Sequence, residues 1–91
     1  MSPARVAIAP HVQHTLVEGT TVLMDLERGV YLGLDPVATP IWQSLAEHGD
    51  PQRAAAELCQ DYEVETEQAL ADVERWVGEL AARGLVVLQP P

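Results

Sequence analysis

The sequence predicts an α+β domain, a small antiparallel sheet followed by a helical bundle, on three observations. Apolar residues alternate on a period of two in Val22, Met24, Leu26 and again in Val30, Leu32, Leu34, the pattern of a half-buried hairpin. Beyond Asp35 the alternation stops and the apolar spacing becomes helical. At that junction, and again fifteen residues on, an aspartate precedes a proline (Asp35-Pro36, Asp50-Pro51). An N-cap side chain before a proline at the first helical position is a helix start.

The elements follow in order. Residues 1–10 hold two prolines and small side chains and read as a loose arm. Val6 and Ile8, then Val12, His14 and Leu16, alternate and place strand one within 6–17. Glu18-Gly19-Thr20 is a turn, followed by strand two over about 21–26 and strand three over about 30–34. Gly29 supplies the positive φ that the intervening turn needs. Helix one starts either at Asp35-Pro36 or at Thr39-Pro40, puts Val37, Ile41, Trp42 and Leu45 on one face, and ends at His48-Gly49. Helix two runs from Asp50-Pro51 to about Asp61, with Ala54, Ala55, Leu58 and Cys59 inward. Helix three begins near Glu65-Thr66; Ala69, Leu70, Val73, Trp76, Val77 and Leu80 fall on an arc of about 120°, a core-facing stripe. Arg83-Gly84 closes it with glycine at C′, and Leu85–Leu88 reads as a short tail strand.

Composition removes several functions. Fourteen acidic residues stand against five arginines and no lysine, for a net charge of −9. Nucleic-acid and anionic-membrane binding both need clustered cations, so neither is expected. An acidic surface favours a basic peptide partner, although it also simply confers solubility. Cys59 is the only cysteine and sits in an apolar helical stretch, as a core thiol does. No secretory-signal core follows Met1, and no apolar run approaches the ~18 residues of a membrane span. A cytoplasmic, single-domain protein over residues 1–91 is the expectation.

No catalytic constellation is visible. Ser2, Ser44 and the threonines lack a nucleophile context, and His11, His14 and His48 have no metal-ligand spacing. Without a phosphate loop either, no cofactor and no metal are expected. What remains is the sheet itself: a few strands followed by helices leave an open edge, and an open edge can hydrogen-bond to another backbone.

Gly29-Val30-Tyr31, Leu34-Asp35-Pro36-Val37-Ala38, Ile41-Trp42-Gln43-Ser44-Leu45, a capped second helix, Asp72-Val73 with Trp76-Val77 and Leu80, and Gly84-Leu85-Val86 occur in this order. The set, spanning roughly 12–87, resembles the PqqD-like family of peptide-recognition elements. It is most similar to the free-standing lasso-peptide B1 leader-binding proteins, with the PqqD protein of pyrroloquinoline quinone synthesis, which serves a radical-SAM enzyme, as the alternative. The resemblance implies a winged-helix-like fold, a three-stranded antiparallel sheet followed by three helices. It further implies no catalysis, and binding of a precursor's leader peptide as an added strand on strand three, against helix three. The partners implied are the leader peptide, a transglutaminase-like leader peptidase and a cyclase. A winged-helix DNA-binding regulator shares the layout, but Asp72, Glu74 and Glu79 make helix three acidic. A subunit completing another enzyme's active site is the third alternative.

On this reading the leader lies antiparallel along Gly29, Val30, Tyr31, Leu32 and Gly33. One edge of helix three offers Asp72, Arg75, Trp76 and Glu79; the other offers Ala71, Glu74, Gly78 and Ala82. The spacing does not decide between them. The first edge is preferred, because an aromatic beside carboxylates suits a leader with an aromatic or proline anchor and basic residues. Each residue also has a structural reading: Trp76 as core, Asp72 as a partner for Arg75, Tyr31 as a surface aromatic, Gly33 as a bend. Proline at Leu32 is expected to remove a donor from the guest ladder.

Overall fold

The computed structural model describes residues 5–89. Its elements run β1 (Arg5–Ile8), β2 (Val12–Val17), β3 (Thr20–Asp25), β4 (Val30–Gly33), α1 (Ala38–His48), α2 (Pro51–Asp61), α3 (Thr66–Ala82) and β5 (Val86–Gln89). Strands β2, β3 and β4 form an antiparallel three-stranded sheet in that order, and β1 pairs with β5 in a separate two-stranded ribbon. The strand read as the third from sequence is thus β4.

The first departure from expectation lies at the amino end. The single strand foreseen within 6–17 is two strands, broken at Pro10, which has no N–H to give a ladder. Residues 5–8 of the expected loose arm are ordered as β1, with Val6 opposite Leu88 and Ile8 opposite Val86; residues 1–4 of that arm lie outside the described residues. The turn is tied down by the Ala9 N–H donating to the Leu85 carbonyl and the Val12 N–H to that of Ala9 (both 3.0 Å).

Local chemistry explains the remaining boundaries. Glu18 and Gly19 both have positive φ (51° and 82°), which suits the twist of the two-residue β2–β3 hairpin. The β3–β4 turn is wound on Asp25. Its Oδ1 accepts the N–H groups of Glu27 and Arg28, each at 3.0 Å, and its carbonyl accepts that of Gly29, whose φ is +71°. Of the two starts considered for α1, the hydrogen bonds favour Asp35. Its carboxylate accepts the Ala38 N–H at 2.7 Å and its carbonyl that of Thr39. Counted from that cap, Pro40 lies one position past the free N–H groups, and its missing N–H leaves the Pro36 carbonyl without a helical donor. Asp50 caps α2 through the Gln52 N–H. At the end of α3 the Gly84 N–H reaches the Ala81 carbonyl and the Leu85 N–H that of Leu80, a Schellman closure with Gly84 at φ +76°.

The core joins the three helices to one face of the sheet. Trp42, Leu45, Ala69, Val73, Val77 and Leu80 are buried against Leu23, Leu34 and Val12. The phase of β3 is the second departure. Val22, Met24 and Leu26 were read as its apolar face, yet Thr21, Leu23 and Asp25 point inward. Asp25 is tolerated inside because its Oδ1 is hydrogen-bonded by the turn, and buried polar groups cost little once bonded. The Thr21 N–H donates to Thr39 Oγ1 on α1 at 3.1 Å, whereas the Thr21 hydroxyl is buried with no hydrogen-bond partner among the described residues.

Candidate functional site

The β2–β3–β4 sheet has two open edges, and the hydrogen bonding fixes which main-chain groups each presents. The Leu26 N–H donates to the His11 carbonyl and the Leu34 N–H to that of Thr21. Alternation along the ladders then directs Thr21, Leu23 and Asp25 toward β4, and Val22 and Met24 toward β2. Leu32 pairs with Leu23, so its N–H and C=O are consumed inside the sheet. The N–H and C=O groups of Tyr31 and Gly33 face the bare flank instead. Proline at Leu32 would therefore break the β3–β4 ladder; the outward donors belong to Tyr31 and Gly33.

Among the described residues, β5 pairs only with β1 and leaves this flank uncovered. Two adjoining clefts border it, sharing Leu32 and Arg83. The upper cleft, about 300 Å³, lies at the start of β4. Leu23, Val30, Leu32 and Leu85 give it an apolar lining, and Arg28, Arg83 and Tyr31 stand around it. The lower cleft, about 180 Å³, lies between the end of β4 and α3, where Gly33, Leu34 and Ala38 face Trp76, Glu79 and Leu80.

Of the residues singled out from sequence, Val30, Tyr31, Leu32, Gly33, Trp76 and Glu79 line one or both clefts. Tyr31 is 75% exposed and Trp76 half-buried against the core. Gly29 belongs to the turn at the head of β4 rather than to a cleft. Asp72 and Arg75 line neither. They form an exposed ion pair at 3.2 Å, and Gln68 Nε2 donates to the same Asp72 oxygen at 2.9 Å. Ala71, Glu74, Gly78 and Ala82 on the opposite edge of α3 also line neither cleft.

Sequence reasoning missed Arg28 and Arg83. Arg83 was taken only as a helix end, although it follows Trp76 and Glu79 at helical spacing. Arg28, next to Gly29 in the β3–β4 turn, carries no periodic signal in the sequence. No group of three metal-ligating side chains occurs among the described residues. No described helix is long and apolar enough to cross a membrane.

The fold and this flank define a class: a small strand-and-helix module whose open sheet edge runs beside a helix-lined groove. The chain belongs to the PqqD family, whose model, described as coenzyme PQQ synthesis protein D, matches residues 20–86. Two solved structures are similar over nearly the whole domain. One is TbiB1 in complex with the TbiA(beta) leader peptide, at 29% identity and TM-score 0.83 over 88% of this chain and 93% of that one. The other is a lasso peptide synthetase B1 complexed with the leader peptide, at 28% identity and TM-score 0.84 over 92% and 99%. No curated protein matches the chain.

Proposed function

We propose that this protein is a non-catalytic adaptor that binds the leader peptide of a ribosomally made precursor and delivers it to a modifying enzyme. The observation that carries this is the bare flank of β4, with the Tyr31 and Gly33 main-chain groups facing outward beside two clefts. The leader adds as an antiparallel strand, and its alternate side chains enter the clefts. The family and the two leader-peptide complexes support the peptide class. Similarity to lasso B1 proteins favours a transglutaminase-like leader peptidase, followed by a cyclase, as the enzymes served. The family description keeps a second reading open, a peptide chaperone for a radical-SAM enzyme in pyrroloquinoline quinone synthesis.

Ordering a disordered leader consumes part of the binding energy. A Kd on the order of 0.1–10 μM is expected for a short strand with two side-chain anchors. Titration of a fluorescently labelled leader peptide, from any precursor gene found beside that of this chain, tests the proposal; absence of saturable binding sinks it. Reconstitution with the candidate peptidase tests delivery, which requires leader cleavage to accelerate when the adaptor is added.

A further inference from the structure

We infer that the groove reads the charge order of its guest, taking a strand with a cation toward its N-terminal end and a carboxylate about three or four residues later. The inference rests on the antiparallel strand addition proposed above. Arg28, from the β3–β4 turn, and Arg83, from the end of α3, reach the upper cleft from opposite walls. Arg28 has one long ion pair and Arg83 none among the described residues. Asp25 is the only carboxylate lining that cleft, and its Oδ1 already accepts two backbone N–H groups. Arg28 Nε stands 3.9 Å from Asp25 Oδ2.

The lower cleft shares Arg83 but adds two carboxylates. Asp35 and Glu79, both exposed, stand at its rim. Asp35 Oδ1 also accepts the Ala38 N–H at the start of α1. With Arg83 shared, the lining carries two cations and one carboxylate at the start of β4 and one cation and two carboxylates at its end, in a chain of net charge −9. An antiparallel guest has its N-terminal half beside Gly33 and its C-terminal half beside Val30, about 10 Å away at strand rise. A guest carboxylate in the upper cleft would sit between two guanidinium groups over Leu23, Leu32 and Leu85, where partial desolvation strengthens the attraction. Elsewhere the acidic surface repels it, so charge fixes register and direction more than it adds affinity.

Panning a display library of randomised 12-residue peptides against the full chain tests this. Enriched peptides are expected to carry Lys or Arg ahead of Asp or Glu at that separation. For a synthetic member of the set, exchanging the two charges or making Arg83→Glu is expected to weaken binding about five- to tenfold. Replacing the peptide's carboxylate with Lys is then expected to restore binding to the Arg83→Glu protein. Arg28→Gln provides a second variant, with circular dichroism confirming the fold of each. Enrichment without charge order, or with the order reversed, overturns the inference and leaves peptide binding standing. No enrichment by the folded protein overturns both.

Discussion

The two free edges of the sheet make an instructive pair. Both β2 and β4 present unpaired main-chain groups, His14 and Leu16 on one side, Tyr31 and Gly33 on the other. No residue of β2 lines either cleft, whereas β4 lies along both, against α3 and the approach to β5. An open ladder alone is only a hazard of self-association. A wall beside it turns main-chain bonding, which any sequence can satisfy, into recognition of particular side chains. The difference between the edges is therefore one of neighbours.

The comparison can be broken most severely at Leu32. Because its N–H serves β3, Leu32→Pro is expected to cost about 2–4 kcal/mol of stability, lowering the thermal midpoint by roughly 10–25 °C in a calorimetric or dichroism melt. Tyr31→Pro, one residue away, removes an outward donor. It is expected to leave the melt nearly unchanged and weaken leader binding at least about tenfold. Leu16→Pro on the β2 edge should change neither; loss of binding there would mean the guest uses the other edge. Trp76→Ala removes a wall while sparing the ladder. About five- to tenfold weaker binding in a fluorescence titration is expected, with a stability loss of about 1–2 kcal/mol from its half-buried ring.

A small effect, on stability alone, is expected at His14. Its ring meets Trp42 edge-on at 5.7 Å between centroids, so His14→Ala should cost about 1 kcal/mol or less in a denaturant titration. Leader affinity should be unchanged, which separates support of the β2 side from function on the β4 side.

Much of this arrangement was legible in the chain. The Asp50-Pro51 start, the Gly49 and Gly84 stops and the apolar stripe of α3 all appear as read. The open β4 edge followed from having few strands before many helices. Trp76 and Glu79 were selected from a helical wheel, which could not show that Asp72 and Arg75 stay outside the clefts. The upper cleft escaped notice because its walls meet only in the folded chain: Arg28 and Leu85 are far apart in sequence. The proline test chosen at Leu32 also erred for a nonlocal reason, since the direction of an N–H depends on the pairing register with β3.

By itself, the sequence determined the number and order of most elements, their caps and turns, and the acidic field around them. These depend on hydrogen bonds and periodicities spanning a few residues. Only the tertiary structure decided that β3 turns Thr21 and Asp25 inward, that β1 closes with β5, and which edge of α3 faces the groove. Each of those choices is settled by partners distant in the chain, as the helix residues packed with Leu23 in the core settle the phase of β3. A one-residue change of phase exchanges the two faces of a strand, and local hydrophobicity favoured the wrong one in β3.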